Sequence, residues 1–179
     1  MRKILLAGVL LAALSGTGAP AVAADGCPSL LMPVVELKQV ARGFGPLRYG
    51  FHSGLDLTAP YGSPVRAAGG GTVVFAGRYF GYGNMIDVQV APGMVTRYAH
   101  LSRYARGLAV GHTVASGEVI GAIGASGHAH GPHLHFEVRL SGTAVDPKPY
   151  LALAACPVGP SIPLEEARAP DPHAKPAAR

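Results

Sequence analysis

Residues 133–139 read His-Leu-His-Phe-Glu-Val-Arg, an unbroken alternation of polar and apolar side chains. Successive side chains of an extended strand point to opposite faces. The stretch therefore predicts a half-buried strand that sends Leu134, Phe136 and Val138 into a core and holds His133, His135 and Glu137 on its other face. Short apolar runs at residues 72–76, 85–90, 94–99 and 119–123 predict further strands. The turn signals Gly69-Gly70-Gly71, Gly81-Tyr82-Gly83-Asn84, Ala91-Pro92-Gly93 and Gly121 or Gly124 separate them. No stretch of helical period and length competes with these strands, and there is no internal repeat or heptad pattern. The spacing is that of an all-β barrel or sandwich.

A length of 179 residues is a prior for one domain with enough chain to bury a core. Arg2 and Lys3 precede an apolar run over residues 4–14, and Ala21-Val22-Ala23 has the form of a signal-peptidase site. Residues 1–23 are thus expected to be a cleaved secretory signal, since the run is too short for a permanent anchor. No later segment is long and apolar enough to be transmembrane, so an exported, periplasmic or extracellular protein is expected. Export permits a disulfide between Cys27 and Cys156, which is expected here. The rival, lipid attachment at Cys27, is disfavoured because Ala24-Asp25-Gly26 lacks the Leu and small-residue run of a lipoprotein signal. Without Arg2 and Lys3 the chain carries 13 Lys and Arg against 10 Asp and Glu, a net charge of +3. No basic run is dense enough to argue for nucleic acid, and a monomer is expected. Residues 157–179 are rich in Pro, Ala and charge with no apolar face, the composition of a disordered tail.

The candidate chemistry is concentrated. The stretch "GASGHAHGPHLHFEVR", residues 124–139, holds His128, His130, His133 and His135, half of the chain's eight histidines. On a strand, His133 and His135 stand roughly 6.5–7 Å apart on one face, where both can reach one metal or divide metal binding from catalysis. A second pair, His52 and Asp56, lies in "HSGLD", where Gly54 permits a tight bend that turns both side chains inward. In "TRYAHL", period two places Thr96, Tyr98 and His100 on one strand face. His52, Asp56 and His135, with either His133 or His100, form an oxygen and nitrogen donor set suited to zinc. Three ligands with an open position make a catalytic site, and four make a closed, structural one. Neither cysteine has a partner at finger-like spacing. Spacing alone leaves open whether His133 and His135 both ligate.

In order along the chain, "HSGLD", "YGSPVRAAGGGTVVFAG", "GYGN", "TRYAHLS", "VASGEVIGAIGASG", "GPHLHFEVR" and "AVDPKPYL" resemble the LytM and lysostaphin-type zinc peptidases of bacterial cell-wall metabolism. The resemblance covers about residues 42–151. It implies an all-β, mostly antiparallel sheet framework with a substrate groove across it. It also implies one Zn2+ per chain on His52, Asp56 and His135, with His100 and His133 as unligated catalytic histidines. The implied activity is hydrolysis of peptide bonds in peptidoglycan stems or cross-bridges, and the implied partner is the peptidoglycan peptide. The organisation expected is a signal at 1–23, a short extension at 24–41, the zinc peptidase domain at 42–151 and a C-terminal segment and tail at 152–179. A non-enzymatic activator of a cell-wall amidase is the alternative, disfavoured because all five site positions are kept. A peptidase of proteins or bacteriocin-like targets is a third reading.

Two departures from the family pattern stand out. The segment "GFGPLRYGFHSG" before His52 is compressed, which implies an open near wall of the groove. His130 stands where Ser or Thr is common, with His128 two positions before it, and both are expected to be exposed loop residues. His112, in the turn "VGHTV", receives no function.

Overall fold

The structure, a computed structural model, describes residues 30–151. The expected signal at 1–23, Cys27, Cys156 and the tail lie outside the described residues. In chain order the strands are β1 (Gln39–Arg42), β2 (Gly45–Pro46), β3 (Phe51–His52), β4 (Leu55–Thr58), β5 (Pro64–Arg66), β6 (Gly71–Tyr79) and β7 (Gly83–Ala91). They continue as β8 (Met94–Leu101), β9 (Arg103–Tyr104), β10 (Thr113–Val114), β11 (Val119–Ala122), β12 (Leu134–Leu140) and β13 (Thr143–Val145). Two single 3-10 turns, Phe80–Tyr82 and Lys148–Tyr150, complete the regular structure among the described residues. No helix of the described residues is long and apolar enough to cross a membrane.

The largest sheet runs β1-β4-β12-β8-β7-β6-β10, with β13 paired to β12, and β5-β11-β9 form a second sheet. The pairings between named strands are antiparallel. The framework is thus all-β and mostly antiparallel, as the resemblance implies. The large sheet is an open path with β1 and β10 at its ends, not a closed barrel.

Alternation builds the core. Leu55 and Leu57 of β4, Ile86 and Val88 of β7, and Leu134, Phe136 and Val138 of β12 are buried together with Val65, Ile120 and Ile123 of the second sheet and its flank. Full burial of each such side chain contributes roughly 1.5–3 kcal/mol. Residues 30–41 take part in this fold: Leu30 and Val34 are buried in the core, and β1 pairs with β4.

The expected strand at 133–139 forms as β12, which starts one residue later. His133 sits just before it in an isolated bridge with Gly124. The core face is as the alternation predicts. The opposite face is not a solvated one, for Glu137 is fully buried and His135 nearly so.

Candidate metal centre

Register assembles the site. Arg42 of β1 lies opposite Asp56 of β4, Asp56 lies opposite His135 of β12, and His135 lies opposite Ala99 of β8. Because β4 sends Leu55 and Leu57 into the core, Asp56 projects from the other face beside His135. His52, at the end of β3, completes the group. His52 Nε2 is 2.9 Å from Asp56 Oδ1 and 3.1 Å from His135 Nδ1, and His135 Nδ1 is 3.0 Å from Asp56 Oδ1. These three residues can hold a metal ion.

Gly54 makes this convergence possible in a way the sequence does not suggest. A tight bend is expected there, but the requirement is close approach. A Cβ on Gly54 would lie 2.3 Å from the Phe136 carbonyl oxygen and 3.1 Å from Glu137 Cγ.

Each imidazole has its outer nitrogen fixed. His52 Nδ1–H donates to Gly43 O at 2.7 Å, and His135 Nε2–H donates to Glu137 Oε1 at 3.0 Å. His100 Nδ1–H donates to Ser126 O at 2.7 Å, and His133 Nδ1–H donates to Gly131 O at 2.8 Å. The four rings therefore present His52 Nε2, His135 Nδ1, His100 Nε2 and His133 Nε2 as bare nitrogens. The His100 and His133 rings are 4.7 Å apart, and His133 Nε2 is 3.6 Å from Asp56 Oδ1.

His100 reaches this face by an irregularity. Strict period two would place it with Thr96 and Tyr98, as expected from the sequence, but Tyr98 packs in the core against Phe136 and His100 faces the groove. Asn84 pairs with Leu101 and Ile86 with Tyr98, so β8 carries one extra residue there. This β-bulge puts both Ala99 and His100 on the site side, with His100 at φ +62°. Tyr98 is a structural residue: its hydroxyl accepts from Ala68 N and donates to Thr96 Oγ1, and burial pushes its pKa up to about 12.

Glu137 is the residue that sequence reasoning left without a role. Oε1 accepts from Ser53 Oγ at 2.5 Å, Tyr82 Oη at 2.7 Å and His135 Nε2, while Oε2 accepts from Arg139 Nη1. Burial alone would push its carboxyl up, but the donors from His135, Ser53, Tyr82 and Arg139 hold it at about 2. Arg97, paired with Asp87 through two hydrogen bonds of 2.9 and 2.8 Å, lies over the Tyr82 ring and closes this network. The one signal in the sequence was position: Glu137 follows His135 by two on the same strand face.

Electrostatics favour a cation at the convergence point. Burial would raise the Asp56 carboxyl, but the neighbouring imidazoles of His135, His52 and His133 hold it at about 2, ionised and able to ligate. Burial would lower the His135 pKa, yet the carboxylates of Asp56 and Glu137 raise it, so that a proton on Nδ1 competes with a metal ion for the same lone pair. Burial dominates at His100 and depresses its pKa to about 4, which keeps the ring neutral.

The convergence lies in a groove of about 630 Å³. Arg42 and Phe51 border it on the β1 side, and Tyr79, Phe80 and the loop bearing His128 and His130 border it opposite. His128 and His130 are exposed, as expected, and His128 N–H donates to Gly81 O, fastening the loop to the Phe80–Tyr82 turn.

The sequence model of peptidase family M23 matches residues 50–147. The chain belongs to that family. Within M23, the chain is 48% identical over 96 residues to the DD-carboxypeptidase/endopeptidase Mpg of Neisseria meningitidis serogroup B, covering 54% of this chain and 22% of that protein. It is 32% identical over 127 residues to the peptidoglycan DD-endopeptidase ShyC of Vibrio cholerae, covering 67% of this chain and 29% of that protein. The chain thus spans less than a third of the length of either relative. Among solved structures, the catalytic domain of the antimicrobial peptidase lysostaphin from Staphylococcus simulans is similar with a TM-score of 0.58 and 35% identity, covering 63% of this chain and 90% of that one.

M23 peptidases are zinc-dependent, and the donor set fits the ion. Two imidazole nitrogens and a carboxylate oxygen are zinc ligands of the catalytic type, and donors about 2.0–2.1 Å from a tetrahedral ion lie about 3.3 Å apart. The separations of 2.9–3.1 Å are close to that spacing. Both imidazoles also have the fixed outer N–H that metal-binding histidines require.

Proposed function

We propose that this chain is an exported, zinc-dependent endopeptidase that hydrolyses peptide bonds in peptidoglycan stems or cross-bridges. His52, Asp56 and His135 hold one zinc ion, and His100 and His133 act on the reacting groups. The observation that carries this reading is the arrangement of the four imidazoles, two of which meet Asp56 while the other two stand beside it with bare Nε2 atoms. The names of the M23 relatives Mpg and ShyC support the substrate class.

A zinc ion on these three donors supplies Lewis acidity and a water acidic enough to lose its proton near neutral pH. His100 would serve as the base: burial keeps its ring neutral and Ser126 O engages its Nδ1–H, so Nε2 is free to accept a proton. His133 is oriented likewise by Gly131 O and faces Asp56, so its bare Nε2 would accept a proton and, once protonated, would donate to the oxygen of the scissile amide. Once protonated, an imidazole returns its proton to the leaving amine. Rings fixed by backbone carbonyls need little reorganisation during these transfers.

Digestion of purified sacculi by zinc-loaded protein, with mass spectrometry of the released muropeptides, tests this function. New peptide ends that vanish with a chelator and return with zinc are expected. Intact peptides together with stimulation of a separate cell-wall amidase would replace the proposal by the activator reading.

A further inference from the structure

The hydrolytic reading leaves one charged side chain of the groove unused. Arg42 is the one Lys or Arg among the described residues that line the groove, and Asp56 is the one Asp or Glu. With Asp56 engaged by a divalent cation, the groove carries net positive charge with no acidic side chain left to balance it. Arg42 is also fixed in place: β1 pairs it directly with Asp56, and the next residue, Gly43, accepts the His52 Nδ1–H bond at 2.7 Å. Its side chain is half exposed, and its one ion pair among the described residues is Nε to Asp56 Oδ2 at 3.9 Å, beyond hydrogen-bonding distance. The guanidinium therefore retains donors in the planar fork that binds carboxylates bidentately. Neighbouring strands lie about 4.8 Å apart, so Arg42 is about two strand spacings from His135, within the reach of one or two residues of a bound peptide.

Amide chemistry fixes which carboxylate can sit there. In an α-linked amide, the residue on the acyl side has spent its carboxyl in the scissile bond. An α-carboxylate adjacent to that bond must belong to the residue whose nitrogen leaves. Resting on the hydrolytic reading, we propose that Arg42 is a specificity-determining residue that binds this carboxylate and selects amine-side residues whose own α-carboxylate is free. Two substrates share that chemistry: a direct D-Ala to diaminopimelate cross-link, and a chain-terminal D-Ala-D-Ala. An interior glycine bridge lacks it.

The test uses zinc-loaded full chain and its Arg42→Gln and Arg42→Lys variants. The substrates are a cross-linked dimer and a linear pentapeptide, each prepared with the amine-side carboxylate free or amidated. The unmodified protein is expected to favour the free acid by roughly 10- to 100-fold in kcat/KM, chiefly through KM, the loss typical of a charge-assisted hydrogen bond. Arg42→Gln is expected to erase that preference while retaining zinc, and Arg42→Lys to restore part of it. Whichever substrate shows the preference identifies the source of the carboxylate. Equal turnover of acid and amide by the unmodified protein overturns the proposal. So does loss of zinc from Arg42→Gln, which would show that Arg42 acts through Asp56. If the unmodified protein cleaves neither substrate, the hydrolytic reading fails separately. The carboxylate site is then read by NMR titration with D-alanine and D-alaninamide, where an Arg42-dependent preference for the acid supports it and equal binding overturns it.

Discussion

Glu137 accepts the Nε2–H of His135 at 3.0 Å, and that bond leaves His135 Nδ1 bare toward Asp56 and His52. A carboxylate two residues along the same strand thereby decides which nitrogen of a candidate ligand faces the metal. Glu137 can do this because it is fully buried and ionised by donors from four side chains.

Glu137→Gln keeps the shape and removes the charge. The amide nitrogen must then face either the two arginines, which offer no acceptor, or Ser53, Tyr82 and His135, where the hydroxyls would have to turn to accept and the His135 Nε2–H would lose its partner. Loss of about 3 kcal/mol of stability is expected, near the lower end for breaking a buried ion pair because Arg97 keeps Asp87. Zinc affinity is expected to fall roughly 10- to 100-fold. Chelator competition and calorimetry measure the two, and unchanged zinc affinity would rule out the orienting role.

Ligands and catalysts separate by metal content. Alanine at His52, Asp56 or His135 is expected to lower zinc content and activity together, because three protein ligands are the minimum of such a site. Alanine at His133 or His100 is expected to keep about one zinc per chain and to cut turnover by roughly 10² to 10⁴. His128→Ala serves as a control, expected to keep metal and most activity. Atomic absorption and muropeptide assays on the same preparations decide it, and His133→Ala protein lacking zinc beside loaded His135→Ala protein would reverse the assignment.

Gly54→Ala tests how tightly β4 and β12 approach. The added methyl would meet the Phe136 carbonyl oxygen at 2.3 Å, and a backbone atom within a central strand cannot move aside cheaply. Overpacking is expected to cost about 1–3 kcal/mol and, because β4 carries Asp56, to weaken zinc binding as well. A denaturant midpoint and zinc affinity equal to those of the unmodified chain would show that the sheet yields there.

How much of this was legible before folding depends on range. The alternation after Pro132 is local, so β12 and the direction of His135 follow from it. Depth does not follow, since period two distinguishes faces without saying which one is covered. Glu137 is buried by Ser53 and Tyr82, which are 84 and 55 residues distant in sequence. The need for Gly54 likewise comes from the Phe136 carbonyl on another strand. His100 was legible as a chemical candidate, but its route into the site was not. A bulge is a property of the pairing between β8 and β7, and a single strand's pattern does not contain it.

That bulge carries a prediction of its own. His100 is a non-glycine residue at φ +62°, a conformation that costs an L-residue roughly 1–2 kcal/mol. Both His100→Ala and His100→Gly remove the imidazole and its bond to Ser126 O, so they share the loss of turnover and of that hydrogen bond. They differ in the backbone: alanine retains the left-handed strain and glycine does not. In ordinary strand positions glycine is the less stable of the two by roughly 0.5–1 kcal/mol. At position 100 the order is expected to invert, with His100→Gly more stable than His100→Ala by about 1 kcal/mol in denaturant unfolding of the zinc-loaded proteins. If alanine proved the more stable, His100 would not occupy the left-handed conformation, and another geometry would have to carry its ring to the groove.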